Sequence, residues 1–317
     1  MAEKKIIAVV GATGNQGGGL VRAILEDSSG SFGVRALTRD PDSEKAQQLA
    51  KLGAEVVQAD LDSAPTVRAA FDGAYGAFCV TFFWEHFVPE KELLQAGVMA
   101  QAAKQADLKH VVWSTLEDTR KLVPLSDDRM PTLMEKYKVP HFDAKAEANR
   151  AFAQFGVPVT YMLTSFYWEN LIYLGLAGPR KGKDGTLELT LPMSDKRLAG
   201  IAAEDIGRCA FCIFRSGFDL LGKTVAFAGD HLTGSQMAAA LAKELGQPVS
   251  YNPPTPEEYR RLGTPGADEL GNMFQYMQEF ESEFCAVRNL DSARAINPSL
   301  QTFGGWLARN KDRIPRS

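Results

Sequence analysis

His141 and Lys145 stand four residues apart in the stretch HFDAK. At helical spacing their side chains share one face. An imidazole can pass a proton at neutral pH, so the histidine is a candidate acid or base. The lysine would then hold a bound ligand. The alternatives are a histidine that belongs to a helix start or to the core, and a lysine that is a surface charge. Ser114 and Thr115, at the end of HVVWST, are further hydroxyl candidates unless they only terminate a strand.

A second constellation is GATGNQG, residues 11 to 17, directly after an apolar run and before a helical one. Gly11 permits a tight turn, Gly14 lets backbone approach a pyrophosphate, and Gly17 lets helix and strand pack closely. The helix start adds free N–H groups and the positive dipole end. The spacing is GxxGxxG rather than GxGxxG, but its place between strand and helix is the one the motif requires. The bland reading is a structural turn.

VRALTRDP brings Arg39 to the tip of the next strand. An acid there suits the ribose hydroxyls of NAD, whereas an arginine suits the 2′-phosphate of NADP. Lys45 lies close by, and Asp40 is a competitor for the arginine. NADP(H) is therefore the expected cofactor, against a merely solvated arginine. Asp60 and Leu61, after the third strand, are placed for an adenine edge, though Asp60 could equally cap the next helix. Thr81, Phe82 and Phe83, after the fourth strand, either flank the cofactor or pack between lobes.

The elements that position these residues alternate. KIIAVV, VRALT, AEVVQ, YGAFCV and HVVWS read as buried strands, and VPVTYML as a further one. Helical runs lie at Gly17 to Glu26, Ser43 to Lys51, Ala64 to Phe71 and Pro89 to Ala106. The pattern implies an α/β fold with a Rossmann-type, doubly wound parallel sheet over residues 1–165. Residues 166–317 read as a smaller α+β C-terminal lobe, parts of which can return to the first domain. In that lobe FYWENLIYLGLAG reads as an aromatic loop and helix, GPRKGKDG as a connector, and TLELTL and GKTVAFAG as strands. Helix is expected again at Gly234 to Leu245, starting within NPPTPEEY, where proline is in the right place for a helix start, and over most of the tail from Pro265 on.

GATGNQG, VRALTRDP, VTFFWE, HFDAKAE and FYWEN, in this order and spacing, resemble the NmrA-like family of atypical short-chain dehydrogenase/reductases. The resemblance spans essentially the whole chain, LGTPGADELGNMFQY included. It implies a Rossmann domain and a smaller lobe with the cofactor between them. It implies that Gly11, Thr13, Gly14, Asn15 and Gln16 hold the pyrophosphate, and Arg39 and Lys45 the 2′-phosphate. Thr81 and Lys145 would sit near the nicotinamide ribose, and Tyr167, Glu169 and Asn170 near the nicotinamide. Typical members of the wider superfamily use a serine, a tyrosine and a lysine. Here Lys145 is kept and His141 stands where the tyrosine would be. Family members include an NADPH sensor, fungal repressors acting through a GATA-type factor, and quinone and triphenylmethane reductases.

Two functions follow from different classes. One is a redox sensor or regulator that binds NADP(H) and acts through a protein partner. The segment from Glu117 to Pro140 would be its responsive loop, or else a surface excursion. The other is an NADPH-dependent reductase of quinones, enones or similar aromatic acceptors. There Phe82, Phe83, Trp84, Phe166, Tyr167 and Trp168 would form a flat apolar pocket, unless they glue the lobes. A homodimer is compatible with either.

Composition narrows the rest. The chain has 317 residues, a formal charge of −4 and no dense basic block, which disfavours direct nucleic-acid binding. No run is long and apolar enough to span a membrane, and the N-terminus lacks a signal-peptide pattern. The location expected is cytoplasmic, or nuclear as well. Cys209 and Cys212 form a CxxC pair inside DIGRCAFCIF, which reads as a buried helix rather than a redox site. No metal site is expected.

Overall fold

The structure is a computed structural model that describes residues 4–173, 177–182 and 185–316. It divides into two compact units, with elements numbered along the chain. The first comprises Met1–Asp118, His141–Thr164 and Ala203–Val225. Its sheet contains β1 (Lys5–Val9), β2 (Phe32–Thr38), β3 (Glu55–Gln58), β4 (Gly76–Cys79), β5 (His110–Thr115), β6 (Val159–Leu163) and β11 (Thr224–Ala226). The spatial order is β11-β6-β5-β4-β1-β2-β3. The registered pairs from β3 through β6 are all parallel.

Parallel neighbours need crossovers, which α1 (Asn15–Glu26), α2 (Glu44–Lys51), α3 (Ala64–Phe71), α4 (Pro89–Gln105) and α5 (Pro140–Gln154) supply. Strand order reverses between β1 and β4, so the crevice beyond their carboxyl ends is the expected ligand position of a doubly wound sheet. The glycine turn follows β1 and the Thr81 loop follows β4. Ala8, Cys79, Val111, Trp113, Ala96, Met99 and Phe152 belong to the continuous core that covers one face of the sheet. Its apolar area, not local propensity, holds these short strands in place.

Helix α7 (Ala203–Arg215) carries the CxxC pair and lies against α1. Glycines set that approach. A Cβ on Gly207 would lie 2.0 Å from the Leu20 nitrogen, and one on Gly19 would lie 2.5 Å from the Glu204 carbonyl oxygen. Cys209 is buried, and Cys212 is half-buried with its thiol pKa raised by burial. Both are packing residues in the later turns of α7, not thiols at an exposed helix start.

The second unit comprises Thr119–Pro140, Ser165–Ala202 and Ala226–Ser317. Its described residues form two three-stranded sheets, ordered β12-β10-β7 and β13-β9-β8. Their strands are β7 (Phe166–Tyr167), β8 (Arg180–Lys181), β9 (Leu187–Leu189), β10 (Arg197–Ile201), β12 (Asp230–Thr233) and β13 (Val249–Tyr251). Helix α6 (Asn170–Tyr173) is short, and the rest of its expected run, Leu174 to Leu176, lies outside the described residues, as do Lys183 and Asp184 of the expected connector. Helix α8 (Gly234–Leu245) opens on a Thr233–Gln236 capping box, and α9 (Pro256–Arg260) on a Thr255–Glu258 one. Helices α10 (Ala267–Glu279), α11 (Glu281–Val287), α12 (Leu290–Ile296) and α13 (Phe303–Asn310) complete the tail.

The stretch 119–140 is a packed part of this second unit. Val123, Met130, Tyr137, Lys138 and Val139 are buried in it. The Lys138 ammonium donates to the carbonyls of Asp127 and Met130 at 2.8 and 2.7 Å. The Asn272 amide donates to those of Pro131 and Lys138, and the Gln275 amide to that of Arg129. Its charged, proline-containing sequence suggests a solvated excursion, but its backbone carbonyls are claimed by buried side chains of α10.

Candidate dinucleotide site

The cradle begins at Gly11, where φ is +64°, a left-handed value that favours glycine. A Cβ on Gly17 would lie 2.4 Å from the Gly11 carbonyl oxygen, so the turn closes only with glycine there. Gly14 is the N-cap of α1, no side chain caps the helix, and its first turn carries no acid. By contrast α8 and α9 are capped by their own threonines. An uncapped, acid-free helix start behind a glycine turn suits an anion. Thr13 lies half-buried in that turn and Asn15 is exposed at the first helical position. The Gln16 carboxamide oxygen accepts from Ser114 Oγ at 2.8 Å, so Ser114 orients the cradle. Thr115 instead ties β5 to α5 through the Lys145 carbonyl and the Asn149 carboxamide oxygen.

Arg39 is exposed at the tip of β2, with Lys45 exposed in the first turn of α2. Asp40 does not take the arginine. Its carboxylate accepts from the Asp42 N–H at 3.0 Å, closing its own turn. The group that pairs with Arg39 is Glu85, 2.5 Å away, from the loop after β4. That hydrogen bond is the main reason the Arg39 pKa is raised. Asp60 sits in the turn before α3, where its carboxylate accepts from the Asp62 N–H at 3.0 Å, while Ser63 occupies the N-cap. Leu61 packs on the core.

The loop after β4 leads to a buried ionic cluster absent from any linear motif. Lys145 Nζ donates to the Thr81 carbonyl at 2.9 Å and to Thr81 Oγ1 at 2.6 Å, and pairs with Glu92 Oε2 at 2.9 Å. Thr81 Oγ1 donates in turn to the same carboxylate oxygen at 2.6 Å. An ammonium has three donors, and here each has a protein acceptor. Glu92 is fully buried and the Lys145 side chain is 12% exposed. His86 faces the other carboxylate oxygen at 3.5 Å. The Val88 N–H donates to His86 Nδ1, which places the proton of the neutral ring on Nε2, toward Glu92. Burial lowers the His86 pKa despite that carboxylate.

His141, 6% exposed in the first turn of α5, is packed among rings. Trp84 lies 4.9 Å from it between centroids, Phe142 4.7 Å and Phe83 6.0 Å. Phe82, beside them, is exposed.

The sequence motif FYWEN lies in the second unit. Trp168 is buried against Phe303 and Trp306, and Phe166 against Phe274. The Glu169 carboxylate accepts from Trp306 Nε1 at 2.9 Å. Tyr167 and Asn170 are half-buried. Of the six aromatic residues proposed for one flat pocket, Phe83, Phe166 and Trp168 are thus buried in the cores of their own units. The structure brings together Gly11 to Gly17 with Ser114, Arg39 with Glu85, and Thr81 with Lys145 and Glu92. Glu85 and Glu92 were not foreseen.

The NmrA-like family model matches residues 3–306. The chain belongs to the NmrA-like family. A Penicillium ochrochloron relative, the NmrA-like family domain-containing oxidoreductase ptmS, is 27% identical over 96% of this chain and 98% of its own. A Dictyostelium discoideum NmrA-like family domain-containing protein is 29% identical over 80% and 82%. Among solved structures, that of NmrA, a negative transcriptional regulator, is 25% identical, with TM-score 0.79 over 97% of this chain and 95% of its own. NmrA has also been solved in complex with NADP (TM-score 0.77, 24% identical, 97% and 95% covered). The Citrobacter triphenylmethane reductase complexed with NADP(H), at 18% identity and TM-score 0.76 over 97% and 99%, shares the fold. Among the described residues, no helix is long and apolar enough to cross a membrane.

Proposed function

We propose that this NmrA-like protein binds NADP(H) in its Rossmann unit and acts as a redox regulator through a protein partner, the cofactor serving as signal rather than consumed reagent. The glycine cradle would take the pyrophosphate, and Arg39 with Lys45 the 2′-phosphate. When bound, a nicotinamide supplies or accepts hydride. The observation that carries the regulatory reading is the state of the His–Lys pair. Every donor of the Lys145 ammonium is held by Thr81 and Glu92, and His141 is enclosed by aromatic rings. Neither is presented as a proton donor to a substrate oxygen.

The second reading is an NADPH-dependent reductase of quinones, enones or dyes, which needs hydride delivery and can take protons from water. It is favoured by the oxidoreductase name of the relative that matches 96% of this chain. Calorimetric titration with NADPH and NADP+, followed by optical assay of NADPH oxidation with quinones, enones and aldehydes, separates the two. Binding without turnover supports the regulator. Turnover well above the protein-free rate overturns it in favour of the reductase.

A further inference from the structure

We infer that Glu85 sets the preference between phosphorylated and unphosphorylated dinucleotides, by competing with a 2′-phosphate for Arg39 and by offering an acceptor to a 2′-hydroxyl. The inference rests on the reading of Arg39 as the 2′-phosphate residue. Glu85 Oε1 is one hydrogen bond from the Arg39 guanidinium. Any group that Arg39 grips therefore meets the Glu85 carboxylate as well. A phosphate would have to displace that carboxylate and tolerate a second negative charge nearby. A ribose hydroxyl meets an acceptor of the kind that suits NAD.

The placement of Glu85 is built into the loop. The loop turns through a single helical turn, Phe83–Glu85, whose first residue is 1% exposed. Phe87 follows with φ +55°, a conformation bulky residues seldom adopt. Its ring is held against Phe83 and Trp84, at 5.9 and 5.7 Å between centroids. Next to Glu85, His86 accepts the Val88 N–H and faces the buried Glu92. Glu85 thus projects from an anchored turn toward the tip of β2. Asp60 and Asp62 add negative charge around Arg39, and Lys91 pairs with Asp62 at 2.8 Å. Lys91 also feels Glu85 and Asp60, but its ammonium is paired with Asp62, so it offsets the acids around Arg39 only in part.

Both partners are exposed, so the effect is that of a surface ion pair, about two- to five-fold in affinity. The test measures dissociation constants of NADPH and NADH for the wild type, Glu85→Gln and Arg39→Ala, at low and high salt. Glu85→Gln is expected to raise the ratio of NADH to NADPH dissociation constants about two- to five-fold. The gain should shrink at high salt, where the Debye length is a few ångströms. An unchanged or lowered ratio in Glu85→Gln, with Arg39→Ala selectively losing NADPH, overturns the role of Glu85 and leaves the site reading intact. Equal losses of both dinucleotides in Arg39→Ala overturn the site reading itself, and the inference with it.

Discussion

Replacing Lys145 by methionine should destabilise the protein before it reveals anything about function. Methionine keeps most of the apolar stem but removes the ammonium. Glu92, fully buried, then keeps the Thr81 hydroxyl as donor and His86 at 3.5 Å, but no countercharge within hydrogen-bonding distance. Breaking one side of a buried ion pair costs about 3–5 kcal/mol, because the remaining charge stays desolvated. At roughly 2–4 °C per kcal/mol in a domain of this size, the melting midpoint should fall by about 6–20 °C. Removing the stranded charge as well should recover most of the loss, since a neutral pair of similar volume is often close to neutral in stability. Lys145→Met/Glu92→Gln is therefore expected within about 2 kcal/mol of wild type, with a large favourable coupling in the double-mutant cycle.

The assay is urea unfolding of the four proteins, followed by tryptophan fluorescence and circular dichroism to check for one transition. A cost below about 1 kcal/mol for Lys145→Met, with no coupling to Glu92, would refute the argument. It would mean that the pair is solvated in solution and that the ammonium is available to a ligand. The functional corollary is practical. Loss of turnover in a Lys145 variant is evidence about catalysis only when the Glu92-compensated protein, shown to be folded, loses it too.

Three other outcomes are expected. Arg39→Ala should weaken NADPH about ten- to hundred-fold, the worth of a charge-assisted hydrogen bond, and NADH far less by isothermal titration. Gly17→Ala should weaken both dinucleotides alike and cost about 1–3 kcal/mol in unfolding, because its Cβ would lie 2.4 Å from the Gly11 oxygen and the turn must open. His110 is buried, with its pKa pushed down to about 4 by burial. The unfolded chain takes up its proton near pH 6.5 while the native state does not, so stability is full above pH 6.5 and is lost as pH falls toward 4. The loss approaches about 3 kcal/mol at the lower limit. Urea midpoints of wild type and His110→Gln should diverge over this window, and parallel curves would show that His110 titrates normally.

How much of this was legible follows from where each constraint lies. Contiguous signals were reliable. The glycine turn, the strands β1, β2, β4, β5 and β6 and the helices Ala64–Phe71 and Gly234–Leu245 depend on local pattern, and the structure places those elements where the pattern does. AEVVQ, which reads as a strand covered on both faces, is instead β3 at the sheet edge, with no residue fully buried. Lys145 was legible as a member of a pair, but its true partner was not His141. Glu92 lies 53 positions away in sequence, on α4, and PEKELLQ looks like a solvated helix start. A signal was present all the same. Glu92, Gln95, Ala96, Met99 and Ala103 recur at three- and four-residue steps along the buried face of α4. An acid on an apolar stripe must be paired, because an isolated buried carboxylate is too costly. Which of the chain's 35 lysines and arginines pairs with it is set by the fold, which brings Lys145 of α5 to Glu92. Glu85 carried no such signal, since an exposed acid in an aromatic loop has no required partner. The two acids bracket the same loop with opposite energetics. Glu92 fixes Lys145 through burial and belongs to stability, whereas Glu85 meets Arg39 in solvent, where an ion pair is weak enough for a ligand to replace.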